Sequence, residues 1–273
     1  MGITAFLPPW WAPPVAESAV HAAAALEPPR GERLAKYLAR AGIASRRDAE
    51  ALIAEGRVRV NNVEISHPAF FVTGADRILV DGKPVAVPEP ARLWRYHKPE
   101  GLVTTHKDPE GRPTVFENLP ERLPRVISVG RLDLTSEGLL LLTNDGALSR
   151  RLELPATGWL RRYRVRVHGG VDPAKLKRLA EGIKIDGEQF GPIDAAVDSR
   201  QRSNTWLSVS LREGRNREIR RVMEYLSLPV TRLIRIAYGP FQLGNLPPGA
   251  VEEISRKILR EQIPFLGRPV RED

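Results

Sequence analysis

Two helices followed by short hairpins are predicted for the first part of the chain. In RLAKYLARAG, from Arg33 to Gly42, apolar residues recur at helical spacing and a glycine ends the run. Ser45 precedes RRDAEALIAEG and suits a helix N-cap. RVRVNNVEI and DRILVDGKPVAV then alternate between apolar and polar residues around Asn-Asn and Asp-Gly turns, which is typical of hairpins. We predict a compact ααβββ module, a small α/β unit, over residues 31–88.

A longer region of strands and intervening helices follows the proline-containing linker VPEPAR at residues 87–92. The predicted strands are LWRYHKP, residues 126–132, residues 138–143, WLRRYRVRVHG, WLSVSLREG and VTRLIRIAYGPFQL. Helices are predicted from Gly146 to Leu152, from Pro173 to Leu179 and over NREIRRVMEYLSL. This pattern indicates one mixed, mainly antiparallel α+β domain over residues 93–256.

The two ends of the chain lack this periodicity. Residues 1–30 are rich in Ala and Pro and carry little charge, which predicts a disordered extension. No basic stretch precedes their apolar residues, so they do not resemble a secretory signal. Residues 257–273 are predicted to form a C-terminal tail.

The charge balance points to an anionic partner. The formal net charge is +9 and the sequence pI is about 10.1. Nucleic acid is favoured over a membrane, because no basic amphipathic helix and no apolar run of spanning length is present. A solvated basic surface is the alternative. The chain has no cysteine, and its five histidines lack metal-site spacing, so we expect no metal and a cytoplasmic location.

Asp133 is the acidic residue whose position needs an explanation, since it lies between two apolar segments in GRLDLTSEGLLLLTNDG. An Asp that caps a turn is the ordinary explanation, because Thr135 and Ser136 also suit turns. A phosphotransferase motif DxDxT matches weakly, since its second Asp is missing. A glycosidase-like acid pair with Glu137 is a third possibility, but four residues of separation define no geometry.

The first module resembles the S4 RNA-binding module. Its SRRxAExxIxxGxVxVN pattern is present here as Ser45, Arg46, Arg47, Ala49, Glu50, Ile53, Gly56, Val58, Val60 and Asn61. The resemblance implies binding of structured RNA by shape and phosphate contacts. The residues expected to contact RNA are Lys36, Arg40, Arg46, Arg47, Arg57, Arg59 and Asn61.

Four later segments, in order, resemble the S4-domain pseudouridine synthases of the RsuA/RluB family. They are HKPEGLVTTHKDPEGRPTVFENLP at 97–120, the GRLDxxxxGLLLLTNDG motif from Gly130, LRRYRVRV at 160–167, and LREGRNREIRRVMEYLSLPVTRLIRIAYGPFQLGNLPPG at 211–249. Arg161 stands where the family usually has Lys. The GRNRExRR form is typical of RluB rather than RsuA.

The resemblance implies an enzyme that isomerises one uridine of large-subunit (23S) ribosomal RNA to pseudouridine. The target base would be flipped out of its stack, and no cofactor or metal would be required. Asp133 would be the nucleophile and Arg131 would help to open the stack. Tyr163 would stack on the uracil, and Arg220 would form an ion pair that keeps Asp133 ionised. Whether Asp133 attacks the ring or the sugar stays open.

Several alternatives remain at this stage. A small-subunit (16S) enzyme of the RsuA type and a non-catalytic RNA-binding ribosome-assembly factor are both possible. The substrate is ribosomal RNA or an assembly intermediate, and we expect a monomer. Arg217 is a further expected RNA contact. The 161–166 tract contains Arg161, Arg162, Arg164 and Arg166. These arginines either contact the RNA phosphates or lie on a solvated face of the sheet.

Overall fold

A computed structural model describes residues 31–263, which form two compact units. The smaller unit comprises residues 31–37 and 46–85, and the larger comprises residues 38–45 and 86–263. The predicted extension at residues 1–30 lies outside the described residues, as does the chain after Ile263. Within the described part of the chain, no helix combines the length and the apolar character needed to cross a membrane.

The N-terminal elements follow the predicted order of helices and hairpins. They are β1 (Glu32–Arg33), α1 (Leu34–Arg40), α2 (Arg46–Ala54), β2 (Val58–Val60), β3 (Val63–Ile65), β4 (Phe71–Val72), β5 (Ile78–Val80) and β6 (Lys83–Pro84). Strands β3, β2, β5 and β6 form one sheet in that order. Both predicted hairpin turns are present, because Asn61, Asn62, Asp81 and Gly82 all have positive φ, as tight hairpin turns require.

The larger unit is built around one nine-stranded sheet. Its strands and helices are β7 (Leu93–Lys98), β8 (Ile127–Val129), β9 (Glu137–Thr143), α3 (Gly146–Glu153), β10 (Arg161–His168), α4 (Pro173–Lys177), β11 (Ile183–Ile185), β12 (Glu188–Phe190), β13 (Ile193–Gln201), β14 (Asn204–Leu211), α5 (Glu218–Tyr225), β15 (Val230–Tyr238), β16 (Phe241–Gln242), β17 (Val251–Glu253) and α6 (Arg256–Gln262). The order is β13-β14-β10-β15-β9-β7-β17, with β16 beside β15 and β8 beside β9. Strands β9 and β15 pair in parallel, and the other pairs are antiparallel.

The run of four leucines belongs to β9, every residue of which is buried. Leu139 and Leu141 contribute to a core cluster that also contains residues of α3 and α6. Leu140 and Leu142 point to the opposite face, where they join a second cluster. A strand covered on both faces needs apolar residues at every position, which explains the unbroken run.

Strand β10 has one buried and one open face. Tyr163, Val165 and Val167 belong to the core cluster on one side. Arg162 and Arg164 are exposed on the other side, where the Arg164 guanidinium lies 4.8 Å from the Trp206 ring centroid. The period-two pattern therefore separates the basic tract from the core.

Several elements differ from the sequence-based prediction. The short strands β1, β4, β11, β12 and β17 were not predicted. Strand β13 was not predicted either, because IDAAVDSRQ has only two large apolar residues, yet it pairs with β14 over most of its length. Strand β8 is shorter than residues 126–132, so Arg131 and Leu132 lie in the following loop. Helix α6 lies beyond the predicted limit at residue 256. Because its Leu259 and the following Ile263 are buried in the core, the predicted tail begins as a packed part of the larger unit.

Gly138 controls the contact between the two parallel strands, and its replacement provides a test of the fold. Its φ is +101°, and a Cβ added there would overlap the Arg235 backbone. We expect Gly138→Ala to lower stability by about 2–4 kcal/mol more than Gly249→Ala, and the melting temperature by roughly 5–15 °C more. Gly249 has a similar positive φ but no atom near its added Cβ, so it isolates the overlap. Equal melting temperatures for the two variants would contradict this account of the strand contact.

Candidate active site

A cavity of about 430 Å³ lies in the larger unit beside the loop that joins β8 to β9. Asp133 and Arg131 line it from that loop, and Tyr163 lines it from β10. Tyr163 is buried, Asp133 is half-buried and Arg131 is exposed. The fold therefore brings together three of the four residues that we predicted to be catalytic. Arg217, a predicted RNA contact, also lines the cavity.

Hydrogen bonds hold the backbone of the Asp133 loop from Leu132 to Ser136. Every carbonyl oxygen of these five residues accepts at least one hydrogen bond. The donors are Thr104 Oγ1 to Leu132 O (2.8 Å), Ser136 N to Asp133 O (3.0 Å), Gly101 N to Leu134 O (2.9 Å), Arg220 Nη2 to Thr135 O (2.8 Å) and Lys98 Nζ to Ser136 O (2.8 Å). A loop with its carbonyls occupied in this way has few alternative conformations, so the fold fixes the backbone position from which the Asp133 side chain extends.

Lys98 is the central donor of this network. It ends β7, is fully buried, and its Nζ also donates to the carbonyls of Pro99 (3.0 Å) and Leu134 (3.4 Å). Burial lowers the pKa of Lys98 to about 8, and the negative charge of Asp133 opposes this shift. The three accepting carbonyls likewise favour the charged form, since an ammonium group carries three donors.

Arg220 does not form the ion pair with Asp133 that we predicted. Its guanidinium instead donates to the carbonyls of Thr135 (2.8 Å) and Val230 (3.2 Å), and no ion pair with Asp133 is found among residues 31–263. Both terminal nitrogens donate to backbone oxygens, so the Arg220 guanidinium faces the loop backbone. Burial lowers the pKa of Arg220 and Asp133 acts in the opposite direction, so the two charges still interact.

Glu137 does not provide a second acid for the cavity. Arg232 binds it through two hydrogen bonds of 2.8 and 2.9 Å, and it is not among the residues that line the cavity. The Arg232 guanidinium holds the pKa of the Glu137 carboxyl below its usual range. A carboxylate engaged in this way is not placed to act with Asp133, which argues against the glycosidase-like alternative.

Cations dominate the lining of the cavity. They are Arg131, Arg161, Arg215, Arg217 and Arg235. Arg161, which replaces the family's usual Lys, places its guanidinium 4.9 Å from the Tyr238 ring centroid and donates to the Tyr238 hydroxyl (3.2 Å). A concave surface with this excess of positive charge attracts a polyanion such as an RNA backbone.

Most of the predicted RNA-binding residues of the N-terminal module already have a partner in the protein. Arg47 on α2 and Arg59 on β2 are exposed. Ion pairs join Lys36 to Glu32 (4.0 Å), Arg40 to Asp145 (3.5 Å) and Arg46 to Glu50 (3.7 Å). Arg57 and Asn61 have hydrogen-bonded partners within the smaller unit. Arg57 donates two hydrogen bonds to Asp81 (2.8 and 2.7 Å), and Asn61 donates to Asp76 (2.7 Å). The polar side chains of Arg57 and Asn61 therefore also have a structural role.

Sequence reasoning missed four residues of this site, namely Lys98, Thr104, Glu218 and Arg235. Lys98 and Glu218 lie within the HKP and GRNRE segments, whose spacing indicated that the segments matter but not which atoms they contact. Arg235 had a usable signal, because a cation in the apolar strand sequence LIRIAY is unusual unless its charge has a buried partner or function.

Comparison with known proteins agrees with this arrangement. Residues 92–225 match the RNA pseudouridylate synthase family and residues 32–78 match the S4 domain. An RNA pseudouridine synthase of Rickettsia felis is 51% identical over 230 residues, which cover 84% of this chain and 100% of the relative. This chain belongs to the RNA pseudouridine synthase family. It is therefore an RNA pseudouridine synthase that carries an S4 domain.

A second named relative and a solved structure are also similar to this pseudouridine synthase. The Yersinia pestis protein named ribosomal large subunit pseudouridine synthase B is 42% identical over 234 residues, which cover 83% of this chain and 74% of the relative. A crystal structure of a pseudouridylate synthase superimposes with a TM-score of 0.59 at 25% identity, covering 85% of this chain and 99% of that one. The predicted resemblance and fold class, an S4 module followed by an α+β synthase domain, are confirmed.

Replacing Lys98 tests whether the loop network supports catalysis by this pseudouridine synthase. Lys98→Met keeps an unbranched side chain but removes every donor to the three carbonyls. We expect kcat to fall at least about 100-fold with KM for RNA changed less than about threefold, because a small displacement of a reacting group is costly while the RNA contacts lie elsewhere. Pseudouridine formation under single-turnover and steady-state conditions measures both constants.

The matched control is Lys175→Met, which removes an exposed lysine from α4. It should leave kcat unchanged. If Lys98→Met retains wild-type kcat, the hydrogen bonds of Lys98 do not position the loop for catalysis.

Proposed function

We propose that this enzyme isomerises one uridine of large-subunit ribosomal RNA, with Asp133 as the nucleophile. The observation that carries the proposal is the position of the Asp133 side chain. It lies on a loop whose carbonyls are all hydrogen-bonded, in a cavity that Tyr163 also lines. The large-subunit assignment rests on relatives named ribosomal large subunit pseudouridine synthase B, which are 42% and 44% identical to this chain.

The reaction requires a nucleophile but no change of oxidation state. The bond between N1 of uracil and C1′ of the ribose breaks, the base turns, and C5 bonds to C1′. C5 then loses its proton and N1 gains one, so the formula is unchanged. A carboxylate that attacks covalently divides this difficult step into easier ones. The negative charge of Asp133 opposes the lowering of the pKa of both Lys98 and Arg220, so the carboxylate lies within electrostatic reach of two cations.

The uridine must leave its base stack to reach Asp133. Extrusion costs a few kcal/mol, and least where the base is unpaired, so a loop or bulge is the expected target. Tyr163 offers an aromatic ring on which the extruded uracil can stack. Arg131 is exposed and lines the cavity, and we propose that it helps to open the stack around the base. The cavity volume lies within the range of pockets that bind molecules of nucleotide size.

The N-terminal S4 module is proposed to bind structured RNA through the exposed cations of α1, α2 and β2. The RNA is free ribosomal RNA or an assembly intermediate, and such a substrate implies action in the cytoplasm. We propose that the enzyme acts as a monomer.

Mapping pseudouridines in ribosomal RNA tests both the activity and the substrate. Carbodiimide primer extension on RNA from a strain without this gene should lose one large-subunit stop, which the wild-type gene restores. Loss of a small-subunit stop instead would overturn the large-subunit assignment. If no stop is lost and the purified enzyme modifies no ribosomal RNA, the non-catalytic RNA-binding alternative replaces the proposal.

Asp133→Asn tests the nucleophile. We expect the variant to lose at least roughly 1,000-fold in turnover, because an amide cannot attack in place of a carboxylate. Its affinity for RNA should stay within about threefold of the wild-type affinity, since cations that contact the RNA phosphates supply most of the binding free energy. Asp186→Asn removes a carboxylate from the turn between β11 and β12 and serves as the control. Wild-type turnover by Asp133→Asn would show that Asp133 is not the nucleophile.

A further inference from the structure

Glu218 is a buried acid with one unused oxygen. It begins α5, lines the same cavity as Asp133, and is 4% exposed. Its Oε2 accepts a hydrogen bond from the backbone N–H of Arg215 at 3.0 Å. Its Oε1 is buried and has no hydrogen-bond partner among residues 31–263.

Arg235 is a buried base with one unused nitrogen. It is 3% exposed and lines the same cavity. On the sheet, its Cα pairs with that of Tyr163 on β10 and with that of Gly138 at the start of β9. Its Nε donates to the Leu139 carbonyl at 2.7 Å, whereas Nη2 has no partner in the described part of the chain.

Two unsatisfied polar atoms in one cavity are costly to the folded protein. Leaving a buried donor or acceptor without a hydrogen bond costs about 1–3 kcal/mol, and more for a charged group. Burial also raises the pKa of the Glu218 carboxyl, which shows how little the protein itself compensates this charge. A ligand that offers an acceptor to Arg235 and a donor to Glu218 would relieve both costs.

Uracil carries these groups side by side. Its N3–H donates, and a carbonyl oxygen on either side of N3 accepts. We infer that Glu218 Oε1 accepts a hydrogen bond from N3–H of the flipped uracil and that Arg235 Nη2 donates to an adjacent carbonyl oxygen. The two residues thus position the base on Tyr163 and select for its imide edge. This inference rests on the proposed function and adds to it the residues that recognise the base.

The register of the sheet supports this assignment. Tyr163 and Arg235 are neighbours on adjacent strands and both face the cavity, so a base that stacks on Tyr163 lies next to Arg235. Glu218 approaches from α5, and its carboxylate has two acceptor oxygens, one for the Arg215 N–H and one for a base N–H. A ligand that is only a phosphate would meet Arg235 but would leave Glu218 unsatisfied.

The test uses an RNA that carries the uridine found by the mapping above, and the same RNA with 3-methyluridine at that position. The methyl group removes the N3–H donor and occupies its space. Wild-type enzyme should convert the methylated RNA at least about 100-fold more slowly than the uridine RNA. Glu218→Ala opens space at N3 and removes the acceptor. The ratio of the rate on the uridine RNA to the rate on the methylated RNA should therefore fall at least about tenfold.

Glu218→Gln separates hydrogen bonding from volume. Glutamine keeps the size but replaces one of the two carboxylate oxygens by an NH2 donor, so only one of the positions that face Arg215 and the base still carries an acceptor. We expect kcat/KM on the uridine RNA to fall about tenfold, with the methylated RNA still poorly converted. Glu224→Gln is the control, since Glu224 is exposed on α5 and does not line the cavity, and it should leave the ratio unchanged.

Arg235→Lys is examined with 2-thiouridine and 4-thiouridine at the target position, because sulfur is a weak acceptor. Wild-type enzyme should convert one of these RNAs about tenfold more slowly than the uridine RNA. Arg235→Lys should convert that RNA and the uridine RNA at equal rates. The inference fails if Glu218→Ala keeps the wild-type ratio, or if Arg235→Lys slows all RNAs equally, as loss of a phosphate contact would. Wild-type enzyme that converts no RNA would instead overturn the proposed function itself.

Discussion

The hydrogen-bonded backbone of the Asp133 loop is the constraint on which the site depends. Lys98 ends β7 and Thr104 follows six residues later, whereas Arg220 comes from α5, and each donates to a loop carbonyl. These hydrogen bonds form when the protein folds, so the loop that carries Asp133 is in place before RNA binds. A nucleophile oriented in advance loses little conformational freedom during the reaction, which is one of the larger contributions to catalysis.

The cavity concentrates groups that are unfavourable for stability. Lys98, Glu218 and Arg235 are all buried, and the last two each retain an atom without a partner. An apolar core would be more stable at these positions. Glu218 and Arg235 line the cavity, and Lys98 donates to the loop beside it. These positions are understandable if the residues serve the base and the nucleophile, since active sites commonly sacrifice stability for function.

Several parts of the fold could be predicted from local sequence. Both tight hairpin turns followed from Asn-Asn and Asp-Gly, because few residues adopt positive φ easily. The LLLL run indicated a strand covered on both faces, and the alternation around Tyr163 indicated its buried side. Strand β13 and helix α6 escaped prediction. The first has little apolar character, and its pairing with β14 compensates for that. The second is short and gains its stability from burial of Leu259.

The sequence by itself determined the two-module organisation, the identity of Asp133 and Tyr163 as candidates, and the family. Such features depend on local patterns and on motif order. Only the tertiary structure decided which atoms meet. It turned Arg220 to the Thr135 carbonyl instead of Asp133, engaged Glu137 with Arg232, and brought Glu218 and Arg235 to the cavity. These contacts join residues far apart in the chain, and they follow from the order of strands in the sheet, which periodicity along one segment does not encode.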